Sequence, residues 1–84
     1  MTKIKALIVD DEELARKNLA YLLKGYCPDV ELIGEAEDIT NAKKILNDSP
    51  VDLVLLDIEI PNGSGVDLLE SINGSLNFQV VFVT

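Results

Sequence analysis

Three acidic residues follow two apolar segments of this chain, and their types and spacing could bind a metal ion. Asp10 and Asp11 come directly after the apolar run at residues 6–9, and Asp57 follows the run at residues 53–56. If both runs are neighbouring parallel strands, the three carboxylates share the carboxyl edge of one sheet, where open α/β folds place their binding sites. Crowded like charges disfavour their own ionised forms, and a divalent cation relieves the repulsion.

The ligand types indicate which ion this would be. The chain contains no histidine, and its single cysteine lies away from the acidic residues. Oxygen ligands alone favour Mg2+ or Mn2+ over zinc. Such an ion can neutralise a phosphoryl group that moves onto a carboxylate. Asp57, at the end of the most apolar segment, would then be the nucleophile and form an acyl phosphate.

Each acidic residue also has an ordinary structural explanation. Asp10 and Glu13 have the spacing of a helix capping box, and acidic residues suit the first turn of a helix. Asp57 could simply end a strand in a turn, and the Gly63 to Gly65 segment has turn composition. Taken singly these explanations compete well, but the joint placement after two buried strands favours a site.

The apolar pattern predicts four strands. Residues 51–56 form a nearly unbroken apolar run, which is typical of a central strand covered on both faces, and residues 4–9 form a second such run. Residues 30–36 alternate more and predict an edge strand. Residues 79–84 are apolar without alternation, so this strand should need cover on both faces. If left exposed, it should pair with another chain, and we therefore predict self-association through it.

Three helices are predicted between the strands. The first has an apolar stripe that Gly25 and Pro28 end, the second begins at Asp38 or Thr40 and ends at Ser49, and the third follows the loop after Asp57. The stripes are Ala15, Leu19, Leu22, Leu23 and Tyr26 in the first helix; Ile39, Ala42, Ile45 and Leu46 in the second; and Val66, Leu69 and Ile72 in the third. The resulting β-α-β-α-β-α-β order predicts an α/β fold with a doubly wound parallel sheet.

Composition limits the function classes. Eighty-four residues with 48% hydrophobic content allow one small domain, spanning residues 1–84. A net charge of -8 argues against contact with nucleic acid or an anionic membrane surface. Cys27 is the sole cysteine, and neither a signal peptide nor a membrane-spanning run is visible. The cytoplasm is the expected compartment.

Three segments carry a family resemblance. ALIVDDEELAR at residues 6–16, VDLVLLDIEIPNGSG at 51–65 and VVFVT at 80–84 resemble the receiver domain of two-component response regulators. The resemblance implies a flavodoxin-like sheet of strand order 2-1-3-4-5. It implies that Asp57 accepts a phosphoryl group from a sensor histidine kinase, and that Asp10, Asp11, Asp57 and the main-chain carbonyl of Glu59 bind Mg2+. Thr84 matches the hydroxyl residue that contacts the phosphoryl group and moves on activation.

The resemblance also implies the wider setting. Pro61 and Gly65 match the family's loop after the phosphorylation site, whereas Ile60 replaces a common methionine. The DDE and LAR segments and FQVVFVT resemble members with a LytTR-type DNA-binding output domain. The family continues past the position of Thr84 with a fourth helix, a fifth strand bearing a lysine that pairs with the phosphoryl group, and a fifth helix. We therefore expect the chain to be the N-terminal portion of a receiver domain, truncated after the fourth strand.

Two other function classes stay open at this stage. An aspartyl-phosphate hydrolase of the haloacid dehalogenase type also carries its nucleophile on a buried strand, although it has a second aspartate where Glu59 stands here. A phosphorylation-independent interaction module would keep the fold and lose the chemistry. Under the receiver interpretation the domain is not an enzyme, since it catalyses at most its own phosphorylation and dephosphorylation.

Overall fold

A computed structural model describes residues 3–57 and 79–83 of the chain. Strands and helices alternate along the first of these segments. The described elements are β1 (Ile4–Val9), α1 (Glu13–Tyr26), β2 (Val30–Ala36), α2 (Ile39–Asp48), β3 (Leu53–Asp57) and β4 (Gln79–Val83). The third predicted helix, with Val66, Leu69 and Ile72, lies outside the described residues.

The four described strands form one parallel sheet of order β2-β1-β3-β4. The order agrees with the first four positions that the family resemblance implied, and β2 lies at an edge of the described sheet as its alternation predicted. The pairing of β1 with β2 shifts register between Ala6 and Leu7. The pairing of β1 with β3 is regular, with Val9 opposite Leu56. These two strands therefore reach the carboxyl edge of the sheet together.

The core lies mainly between α2 and one face of the sheet. Leu7 and Val9 of β1 pack with Val54 and Leu56 of β3, and none of the four is exposed to solvent. The buried or partly buried residues that α2 adds to this core are Ile39, Ala42, Ile45 and Leu46, as its stripe predicted. Because side chains alternate along a strand, Ala6, Ile8 and Leu55 lie on the opposite face, where they are also buried.

Helix α1 contacts β1 and β2 but is less buried than its sequence pattern suggested. Ala15, Leu19 and Leu23 are half-buried, whereas Leu22 is 48% and Tyr26 is 78% exposed. The stripe that contacts the sheet is therefore narrower than predicted. Two of its five members face solvent in the described structure.

The C-terminal end of α1 agrees with the predicted stop at Pro28 but not with one at Gly25, and its start differs from the predicted capping box. Gly25 lies inside the helix, which continues to Tyr26. Cys27 ends it, in a non-helical conformation immediately before Pro28, because a proline disfavours the helical conformation of the residue before it. At the other end, Glu12 is the N-cap and makes no side-chain capping bond. The capping box that Asp10 and Glu13 suggested is therefore absent.

Helix α2 begins and ends where the sequence indicated. Of the two candidate caps, Asp38 is the one used, since its Oδ1 accepts a hydrogen bond from the Asn41 N–H at 2.8 Å. Ser49 follows the last helical residue, and its N–H donates to the Ile45 carbonyl at 2.9 Å. The short connection to β3 passes through Val51, which is buried although it precedes the strand.

Strand β4 is only partly covered. Val80 packs against the core, but Val81 is 43% and Phe82 is 46% exposed. These two residues therefore lack the cover that the strand was predicted to need, which is the condition under which we predict self-association. None of the helices in the described part of the chain combines the length and apolar character needed to cross a membrane.

Candidate metal centre

The carboxyl ends of β1 and β3 bring three acidic residues together. Val9 and Leu56 are register partners, so the residues that follow them, Asp10 and Asp57, lie next to each other at the same edge. One carboxylate oxygen each from Asp10, Asp11 and Asp57 lies within 4.8 Å of the other two. Asp57 is the last residue of β3 and is half-buried, whereas Asp11 is exposed.

Local hydrogen bonds orient the side chain and the main chain of Asp10. Its Oδ1 accepts a hydrogen bond from the Glu12 N–H at 2.9 Å, and its own N–H donates to the Ala36 carbonyl of β2 at 3.0 Å. This Asx turn replaces the capping box, because it bonds an N–H that precedes the helix. The turn therefore fixes one oxygen of the Asp10 carboxylate against the Glu12 N–H, at the edge of the sheet where Asp11 and Asp57 also lie.

Burial and neighbouring charges raise the pKa of Asp10. Partial burial is the largest of the effects that raise the pKa of Asp10 above its ordinary value. The negative charges of Asp57 and Asp11 and a hydrogen bond with Asp57 raise it further, whereas the bond from the Glu12 N–H lowers it. A cation among the three carboxylates would offset the repulsion between their charges.

The cluster fits a hard divalent cation. Its ligand atoms are carboxylate oxygens, the donor type that Mg2+ prefers over zinc. An octahedral Mg2+ bonded at about 2.0–2.1 Å places its ligand atoms about 3–4 Å apart. Carboxylates that already lie within 4.8 Å of one another reach such distances by small side-chain rotations. Cys27 does not belong to the cluster.

The sequence-based site included residues that the structure does not describe. Glu59 and Thr84, with Pro61 and Gly65 of the intervening loop, lie outside the described residues. Their roles stay predictions. The described part of the site consists of Asp10, Asp11 and Asp57.

Sequence reasoning missed Arg16. The helical pattern placed Arg16 among the polar residues between the apolar positions of α1, yet its side chain is only 16% exposed. Its Nη1 donates to the Asp10 carbonyl oxygen at 2.7 Å. The one available signal was an arginine six positions after the first acidic residue, and that spacing alone does not reveal the contact.

Comparisons with known proteins agree on one family. Residues 6–84 match the family model described as "Response regulator receiver domain". The chain is 38% identical over 81 residues to the transcriptional regulatory protein BtsR of Salmonella typhi, covering 96% of this chain and 34% of BtsR. It is 42% identical over 66 residues to the sensory transduction protein LytT of Enterococcus faecalis, covering 79% of this chain and 27% of LytT.

A solved structure supports the same grouping. The response regulatory domain of protein mrkE from Klebsiella pneumoniae superposes with a TM-score of 0.81 at 34% identity, covering 94% of this chain and 65% of that one. The match agrees with the flavodoxin-like interpretation of the sheet. This chain spans about a third of the length of BtsR.

Proposed function

Since the chain belongs to the family of response regulator receiver domains, we propose that it takes part in phosphorelay signalling by accepting a phosphoryl group on Asp57. The proposed donor is a phosphohistidine of a sensor histidine kinase. The observation that carries the proposal is the meeting of Asp10, Asp11 and Asp57 within 4.8 Å at the carboxyl edge of the sheet. The comparisons do not favour a hydrolase of the haloacid dehalogenase type or a phosphorylation-independent module.

The proposed transfer is a displacement at phosphorus. A carboxylate oxygen of Asp57 attacks, the new P–O bond forms, and the P–N bond to the donor imidazole breaks with its electron pair leaving on nitrogen. Asp10 and Asp11, with Asp57, would hold Mg2+ at this edge of the sheet. When bound, the ion supplies positive charge that offsets the charge of the phosphoryl group.

The chain's own residues prepare this reaction. Asp57 stands at the end of a strand whose preceding residues, Val54 to Leu56, are buried, so its backbone is fixed relative to β1. The Asx turn at Asp10 orients a second carboxylate toward the same point. By family pattern, the Glu59 carbonyl adds a metal ligand and the Thr84 hydroxyl contacts the phosphoryl group. These two roles are part of the proposal.

The wider assignments rest on the relatives. BtsR is a transcriptional regulatory protein and LytT a sensory transduction protein. We propose a parent protein that acts in the cytoplasm and carries a DNA-binding output domain of the LytTR type, and the name of BtsR supports an output in transcription. Self-association through β4 also stays a proposal, supported by the exposed side chains of Val81 and Phe82.

Phosphorylation by a small donor tests the proposal. With Mg2+ and acetyl phosphate, the chain should gain one phosphoryl group by intact mass spectrometry, and Asp57→Asn should abolish the gain because the amide is not a nucleophile. Beryllofluoride, which imitates a phosphoryl group, should bind only when Asp57 is present.

Asp52→Asn provides a matched control on the same strand segment. Asp52 precedes β3 at the opposite edge of the sheet, and its Oδ2 accepts the Lys5 N–H at 2.9 Å, a bond that an asparagine oxygen can keep. This variant should label like the unmodified chain. Labelling that persists in Asp57→Asn would refute the assignment of the phosphoacceptor.

A further inference from the structure

We propose that Arg16 is a positioning residue for the acidic site, because it fixes the main chain that carries two of the three metal ligands. The inference rests on the proposed function, since it concerns the geometry of Asp10 and Asp11 as ligands of Mg2+. Arg16 acts through these residues and does not itself contact the ion.

One guanidinium group joins three elements of the fold. From α1, Arg16 Nη1 donates to the carbonyl oxygen of Asp10 at the end of β1, at 2.7 Å. Its Nε pairs with Glu35 Oε1 on β2 at 3.3 Å. The arginine side chain is 16% exposed, so solvent competes little for its bond to the Asp10 carbonyl, whereas the Glu35 side chain is 38% exposed. Glu35 thus holds the guanidinium group against β2 through Nε, while Nη1 of the same group binds the Asp10 carbonyl.

The carbonyl that Arg16 binds helps to set the orientation of both Asp10 and Asp11. It belongs to the planar peptide unit that joins Asp10 to Asp11, so its orientation also sets the direction in which Asp11 leaves the strand. The preceding peptide unit is bound to the Ala36 carbonyl through the Asp10 N–H at 3.0 Å. Because hydrogen bonds hold both peptide units, small backbone rotations at Asp10 that would separate the carboxylates are disfavoured.

The positive charge of Arg16 and its positioning role predict opposite effects on Mg2+ binding. A guanidinium cation near three carboxylates repels an incoming divalent cation, so removing it should tighten Mg2+ binding if Arg16 acts only as a charge. The ion pair with Glu35 offsets part of that repulsion. Loss of positioning instead weakens Mg2+ binding, and partners that orient metal ligands typically change metal affinity by about 10–100-fold. The direction of the change therefore separates the two roles.

Titration of the 84-residue chain with Mg2+ by calorimetry tests the inference. Arg16→Met should weaken Mg2+ binding by about tenfold or more. Lys17→Met is the matched control, since it removes the same charge from the next position of α1. Lys17 is 68% exposed and pairs with Glu13 at 3.5 Å, away from the Asp10 carbonyl. Unchanged or tighter Mg2+ binding by Arg16→Met would overturn the proposal.

Arg16→Lys provides a second variant if Arg16→Met does not fold. It keeps the positive charge, but a single ammonium group cannot reproduce the two guanidinium contacts, one with the Asp10 carbonyl and one with Glu35. Its Mg2+ affinity should be lower than that of the unmodified chain. Affinity equal to that of the unmodified chain would show that charge suffices, and would also overturn the proposal.

A measurement without metal separates this inference from the proposed function. The Glu12 N–H reports the orientation of Asp10, because it donates to Asp10 Oδ1 at 2.9 Å. In metal-free protein, Arg16→Met should speed hydrogen exchange at the Glu12 amide, and Lys17→Met should not. If the unmodified chain binds no Mg2+, the proposed function fails, and this exchange rate still decides whether Arg16 orders Asp10. An unchanged rate in Arg16→Met would refute the positioning role.

Discussion

Replacing Asp10 with asparagine should stabilise the metal-free protein. The substitution keeps an Oδ1 that can accept the Glu12 N–H, so the Asx turn can persist. It removes one negative charge from a cluster in which Asp10, Asp11 and Asp57 lie within 4.8 Å of one another. The partial burial that raises the pKa of Asp10 also ceases to penalise a charged group.

The size of the effect follows from these distances. Two unit charges at the outer limit of 4.8 Å repel by about 0.9 kcal/mol in a medium as polar as water, and by more where solvent is partly excluded. Asp10→Asn removes two such repulsions, but the one with Asp11 partly persists in the unfolded chain because the residues are adjacent. The free energy of unfolding should therefore rise by about 1–2 kcal/mol.

The stabilisation should depend on pH in a defined direction. The pKa of Asp10 is raised in the folded protein, so between the ordinary and the raised value the folded state binds more protons than the unfolded state. The contribution of Asp10 to the stability of the unmodified chain therefore falls as pH rises through this interval, and Asp10→Asn lacks that loss. The extra free energy of unfolding of Asp10→Asn over the unmodified chain should be present at pH 7. It should shrink as the pH falls below the raised pKa of Asp10.

Chemical and thermal unfolding followed by circular dichroism measures the change. For a domain of this size, each kcal/mol corresponds to about 4–8 °C in Tm. Saturating Mg2+ should reverse the order, because the unmodified chain gains about 2.7 kcal/mol at a concentration 100 times Kd, whereas the variant has lost a ligand. Asp29→Asn, an exposed site before β2 at the opposite edge, is the control and should change stability by less than about 0.5 kcal/mol.

Two results would refute this reasoning about Asp10. One is a metal-free Asp10→Asn variant that is no more stable than the unmodified chain at pH 7. The other is a stabilisation that stays the same at acidic pH, which would point to a cause other than the charge of the carboxylate.

Three further predictions concern single side chains. Asp11→Ala should weaken Mg2+ binding by at least about tenfold in a titration, whereas Glu12→Ala, which removes the next acidic residue along the chain, should not. Asp38→Ala should lower the free energy of unfolding by about 1 kcal/mol because the cap on the Asn41 N–H is lost, and Asp38→Asn should retain most of it. Leu56→Ala should cost about 2–5 kcal/mol in urea unfolding, since Leu56 is fully buried, and Leu56→Met less than about 1.5 kcal/mol.

Much of the fold could be read from local patterns. The continuous apolar runs identified β1 and β3 as covered strands, and the alternation in residues 30–36 identified β2 as an edge strand. These predictions succeeded because burial on one or both faces is recorded in the spacing of apolar residues. Helix ends were less accurate. Gly25 did not end α1, since one glycine costs a helix little compared with the restriction that Pro28 places on Cys27.

The amino-acid sequence by itself determined the acidic residues that follow β1 and β3, the family motifs around them and the oxygen-only character of the ligands. Tertiary structure decided that Asp10 bonds the Glu12 N–H instead of capping α1, and that Arg16 turns inward to bind the Asp10 carbonyl and Glu35. The physical reason is the range of the interactions. Apolar periodicity acts within one element, whereas the Arg16 contacts join α1, β1 and β2, and their geometry exists only after the three elements have packed together.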